Sequence, residues 1–108
     1  MGFFLFENYS ATKEKSRKYP SLIIKKPINR VFEDLTKFVK DQGFDSIKTN
    51  EEFYDIYGER YGYEISIQLA VDGFNTLLNM SIYGEKKRGR TRKAFKRYYS
   101  LIKQLFEL

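Results

Sequence analysis

From Tyr61 to Val71 the chain places Tyr61, Tyr63, Ile65, Ile67, Leu69 and Val71 at alternate positions, with Gly62, Glu64, Ser66, Gln68, Ala70 and Asp72 between and after them. A period of two predicts a strand with one buried face and one wetted face. Asp72-Gly73-Phe74-Asn75 supplies turn chemistry, after which Thr76, Leu78, Met80 and Ile82 alternate with Leu77, Asn79, Ser81 and Tyr83. These two segments therefore form a long antiparallel hairpin.

Upstream the period changes. Ile28, Val31, Phe32, Leu35, Phe38 and Val39 fall on one stripe of a 3.6-residue repeat, with Pro27 suited to the first turn and Gly43 placed to close the helix. Downstream the same spacing returns at Ala94, Phe95, Tyr98, Leu101, Ile102, Leu105 and Phe106, with Thr91 as the expected N-cap. Tyr98 points inward with Phe95, whereas Tyr99 lies off the stripe and is expected to be freer. Leu22-Ile24 between Pro20 and Pro27 is a short β-branched strand, and Phe44–Lys48 and Phe53–Tyr57 are two more strands joined by a turn at Thr49-Asn50-Glu51-Glu52.

The resulting order, strand, helix, four strands, helix, predicts an α+β fold of two layers. An antiparallel sheet of about five strands carries both helices on one face and leaves the other in water. The expected core is Ile23, Val31, Phe32, Leu35, Phe38, Ile65, Ile67, Leu69, Leu78, Met80, Ile82, Phe95, Leu101, Ile102 and Leu105. Residues 7–20 are polar and without periodicity, so residues 1–20 are expected to be a flexible N-terminal arm and residues 21–108 a single domain.

Composition narrows the chemistry. With 108 residues there is room for one core, and 42% hydrophobic and 18% aromatic residues are enough to fill it. The sequence has no cysteine and no histidine, which removes disulfides, thiol nucleophiles, Cys/His zinc sites and imidazole bases. The adjacent acids Glu33-Asp34 and Glu51-Glu52 make no acid/base dyad or metal site, because neighbours on a helix diverge and a turn pair is solvated. No enzymatic activity, metal or cofactor is expected. Apolar runs are too short to span a bilayer and the start lacks a signal-peptide pattern, so the expected location is the cytoplasm.

Charge is segregated along the chain. The net value of +6 combines seven basic and two acidic residues over 1–30, four and eleven over 31–85, and nine and one over 86–108. The densest run holds Lys86, Lys87, Arg88, Arg90, Arg92, Lys93, Lys96 and Arg97. A basic loop leading into a helix can follow a phosphate backbone, and arginine forks grip phosphates bidentately, so these eight residues are the candidate nucleic-acid contacts. Tyr98 and Tyr99 adjoin the run and could stack on bases. An acidic protein is the other partner that suits the same charge.

The strand-helix-four-strand-helix order over residues 21–107 resembles the half-repeat of the TATA-binding-protein-like fold. It is also similar to a shortened Bet v1-like helix-grip fold, in which a curved sheet wraps a C-terminal helix. The resemblance lies in topology alone; the first relative implies a DNA saddle and the second a cavity for an apolar ligand. A saddle needs apolar wedges and cations on its open face, where this chain would show Glu64, Ser66, Gln68, Asp72, Asn79 and Ser81. A ligand carrier would use Tyr61, Tyr63, Leu78 and Met80 to line the space under the C-terminal helix. A third possibility is a protein-interaction module, in which the aromatic Phe3-Phe4-Leu5-Phe6 and the basic ends dock a partner or another copy.

Overall fold

A computed structural model describes residues 8–12, 17–60, 62–84 and 90–108, with the backbone path alone for 8–10 and 90. The elements are β1 (Asn8–Ala11), β2 (Leu22–Ile24), α1 (Ile28–Asp41), β3 (Asp45–Asn50), β4 (Asp55–Arg60), β5 (Tyr63–Asp72), β6 (Asn75–Gly84) and α2 (Arg90–Leu105). The fold is α+β, with the expected order from β2 onward.

One antiparallel sheet runs β1-β6-β5-β4-β3, and β2 shares the outer edge of β6 with β1. Asn8–Ala11 pair with Gly84–Ser81, and Leu22–Ile24 pair with Leu78–Thr76. The two short strands thus lie end to end along one neighbour, so the sheet has five strand positions filled by six segments. Part of the segment predicted as a free arm is therefore structural. At the junction Thr12 N–H donates to the Met80 carbonyl (2.9 Å), and the Met80 N–H donates to Thr12 Oγ1 (3.1 Å), a hydroxyl standing in for a strand carbonyl. Asn79 Oδ1 accepts from Thr12 Oγ1 (3.3 Å) and from Ser21 Oγ, which holds both ends of the interruption on β6. No apolar alternation marks residues 8–12, because pairing on an edge is made by backbone and needs little from side chains.

Register puts the apolar positions opposite one another. Ile56, Ile67 and Met80 lie in one row, and Leu22, Leu78 and Leu69 in another. Val31, Phe32, Leu35, Phe38 and Val39 of α1 and Ala94, Phe95, Tyr98, Tyr99, Ile102 and Phe106 around α2 join these strand residues in a single core. Both helices therefore cover the same face, as a sheet with one apolar side requires.

Several expected core positions differ. Ile23 is half exposed while Leu22 and Ile24 are buried, since Leu22 faces Leu78 and Ile24 faces Thr76, and the intervening side chain must point to the open side. Leu105 is also exposed and Leu101 only half-buried, because α2 turns Ile102 and Phe106 toward the sheet. Thr91 is buried inside α2, which begins at Arg90, so it is not the N-cap. The β3–β4 turn falls at residues 51–54, two residues later than predicted. There Asn50 Oδ1 accepts the N–H groups of Glu52 (2.9 Å) and Phe53 (3.2 Å), an Asx turn that follows the asparagine instead of centring on it.

Helix α1 ends where expected. Gly43 takes φ +84°, and the Arg60 guanidinium donates to the Gln42 carbonyl, placing a cation on the carbonyl end of the helix. Its last turns press on β4 at Gly58, where an added Cβ would lie 3.0 Å from Phe44 Cβ and 3.1 Å from Val39 Cγ1. Gly58→Ala is therefore expected to cost about 1–3 kcal/mol by overpacking, read as a lowered midpoint in urea denaturation with an unchanged slope.

Candidate polyanion-binding face

Helix α2 is amphipathic, and most of its polar positions are cations. Arg92, Lys93, Lys96 and Arg97 are exposed on its outer side, while Ala94, Phe95, Tyr98 and Tyr99 are buried beneath it. At 100° per residue the four cations occupy one arc, and they span about 8 Å of helix axis. The first turn holds no acidic residue. Among the described residues none of the four forms an ion pair, so no described carboxylate discharges them. Lys86, Lys87 and Arg88 lie outside the described residues, and for Arg90 the backbone alone places it at the start of the helix.

The chain before β2 adds to this side of the molecule. The Tyr19 ring meets Phe95 edge-on at 5.1 Å and Tyr99 edge-on at 5.2 Å, and Phe95 and Tyr99 stack at 5.7 Å. The Tyr99 hydroxyl donates to the Pro20 carbonyl at 2.7 Å. This aromatic trio fixes residues 19–20 against α2 and brings the exposed Arg17 and Lys18 alongside it. Lys18 Nζ lies 5.8 Å from the Tyr19 ring centre, and Lys103 Nζ lies 5.9 Å from that of Tyr99. Both ammonium groups rest on ring faces, an arrangement that holds them without neutralising them. The signal for this convergence was the Lys-Tyr-Pro sequence at 18–20, which carries no periodicity and so escaped a reading built on periods.

Tyr99 is not the free side chain the stripe predicted. It is 4% exposed, because Tyr19 covers the flank of α2 that the helix alone would leave open. Burial, and secondarily the nearby Tyr19, push its hydroxyl pKa above 10.0. Tyr98 is buried as expected, with its hydroxyl 3.2 Å from that of Tyr63 and its ring 5.1 Å from Phe44. Neither tyrosine is available to stack on a base.

Of the four residues expected to line an apolar pocket, Tyr63 lies apart from the neighbouring Leu78 and Met80. Tyr61 lies outside the described residues. Tyr63 pairs with Gly84 at one end of the hairpin, whereas Leu78 pairs with Leu69, six strand positions or about 20 Å away. Leu78 and Met80 are buried in the packed rows beneath the helices. The open face of the sheet shows Glu64, Gln68, Asp72, Asn79 and Ser81 as expected, joined by Tyr57, Glu59 and Lys48 from β4 and β3, whereas Ser66, expected exposed beside them, is buried between Tyr57 and Ser81. Among the described residues no helix is long and apolar enough to cross a membrane, and no group of three acidic side chains is placed to hold a metal ion.

The chain matches no known protein family, no curated protein and no solved structure.

Because Tyr99 keeps its proton when folded, its contribution to stability is present below its unfolded pKa and is lost as pH rises through the folded value. Tyr99→Phe is expected to be less stable at neutral pH by about 0.5–1.5 kcal/mol, the worth of the hydrogen bond to Pro20. That gap should narrow above the ordinary tyrosine pKa of 10.0, which denaturation of both proteins between neutral pH and about pH 11 would read directly.

Proposed function

We propose that this protein binds a polyanion of the nucleic-acid type, through the phosphodiester backbone, by the outer face of α2. The observation that supports this reading is the group of four exposed cations, Arg92, Lys93, Lys96 and Arg97, that no carboxylate of the described fold pairs with. A duplex presents one negative charge per roughly 1.7 Å of axis, so a short cationic arc meets several phosphates at once. Arg17 and Lys18 widen the arc, and Lys86, Lys87, Arg88 and Arg90 extend the same run in sequence. The buried state of Tyr98 and Tyr99 favours backbone contact over base stacking, and such contacts position a ligand without selecting a sequence. The role is that of a non-enzymatic accessory protein.

Titration with a short duplex of arbitrary sequence at several salt concentrations tests this. Contact of the four α2 cations with phosphates gives a log–log salt slope of about −4. Lys93→Ala and Lys96→Ala are each expected to weaken binding equally across sequences and to reduce that slope by about one. Absence of binding at about 20 mM salt, where counterion release favours association most, would overturn the reading.

A further inference from the structure

Among the described residues, most of the exposed large apolar side chains are gathered at one end of the molecule. Phe74 (96% exposed) and Val71 (66%) form the tip of the β5–β6 hairpin. Phe53, also exposed, lies in the β3–β4 turn, where the neighbouring Tyr54 carbonyl accepts the Leu69 N–H at 3.1 Å, so this turn sits at the hairpin-tip end. Ile23 of β2 pairs with Leu77, two residues from the start of β6. The C-terminal turn of α2 reaches the same end: Lys26 Nζ lies 5.6 Å from the Phe106 ring centre, and the Lys26 carbonyl accepts from Thr76 Oγ1 at 2.8 Å. Leu105 and Leu108 are exposed there. Exposed apolar side chains brought to one end of a fold in this way are candidates for an interaction surface.

The charges beside it are arranged in a self-complementary way. Exposed Lys25 and Lys26 follow β2 at one edge of the sheet, and exposed Glu51 and Glu52 open the β3–β4 turn at the other. Four strand spacings, about 19 Å, separate the two edges, with the apolar hairpin tip between them. Asp72, by strand alternation with Val71, belongs to the open side of the sheet. A twofold axis through the tip sets Phe74 and Val71 of one copy against the same residues of the other. Where that axis stands perpendicular to the sheet, it also lays each Lys25-Lys26 against the other copy's Glu51-Glu52. An isologous contact requires this layout, in which a residue and its partner exchange roles between copies. We infer that the hairpin-tip end, with Val71 and Phe74 at its centre, is a self-association surface for a second copy of this chain.

Sedimentation equilibrium of the full chain over a concentration series tests this independently of polyanion binding, which uses the outer face of α2. The wild type is expected to dimerise, and Phe74→Ser, at a side chain too exposed to support the fold, to weaken the dimer by at least about thirtyfold, as loss of a central aromatic anchor does. Glu51→Lys with Glu52→Lys, and separately Lys25→Glu with Lys26→Glu, are each expected to be monomeric, since both set like charges face to face. An equimolar mixture of those two variants is expected to dimerise again, because the exchanged charges attract at both contacts of the mixed pair. A wild type that stays monomeric to about 0.5 mM would overturn the inference, as would a dimer unchanged by Phe74→Ser or a mixture that does not associate. A monomer that pellets with phosphatidylserine vesicles in a Phe74-dependent way would also overturn it, and would assign the tip to lipid.

Discussion

The structure depends on β6 being paired along both sides. Its ten residues hold β5 on one side over their whole length, and on the other side they collect β1 and β2, neither of which is long enough to stand alone. Every second residue of β6 is buried, from Thr76 through Leu78, Met80 and Ile82 to Gly84. That strict alternation sets which face the helices can cover. With one face dictated, α1 has its place over β3 to β6 and α2 over β6 and β1, and the outward side of α2 is left to solvent. The cationic arc is thus a consequence of which face of β6 the helices cover.

The long hairpin and both helices were legible because each carries many turns of a single period. Ile65, Ile67 and Leu69 repeat at two and Val31, Leu35 and Phe38 at the helical spacing, and packing enforces those periods over enough residues to outweigh local exceptions. Short elements behave differently. In a three-residue strand such as Leu22–Ile24 the sequence Leu-Ile-Ile offers apolar side chains at every position, and only the register against Leu78 and Thr76 determines that Ile23 points outward. β1 was invisible because its pairing is made through the backbone, with Thr12 and Asn79 finishing the ladder by side-chain hydrogen bonds.

The candidate site was legible in charge and illegible in its aromatic part. Eight cations in twelve residues stand out in any count, and the solvent-facing positions of α2 follow from the apolar stripe beneath them. The fate of Tyr99 did not follow, because a helix stripe describes what one layer buries and says nothing of a third segment laid over its flank. Tyr19 is that segment. By covering Phe95 and Tyr99 it removes the aromatic surface from the basic face and substitutes Arg17 and Lys18, making the surface more cationic and less suited to stacking than the sequence suggested.

The two surfaces are joined by the same helix. α2 starts beside the Gly84 end of the sheet and finishes at the hairpin tip, so its cations lie on the outer flank while its last turn, with Leu105 and Phe106, packs toward Lys26. Around a twofold axis at the tip, two copies of α2 would lead away from the contact in opposite directions, each carrying its own cationic arc. Neither arc would be covered, since Lys93 and Lys96 lie three or more turns short of Leu108. Pairing of that kind would double the charge offered to one long polyanion and convert the second engagement into an intramolecular step, raising avidity without any new contact. The separation of apolar surface to the end of the helix and charge to its side would let a domain of this size carry both proposed interactions on one scaffold.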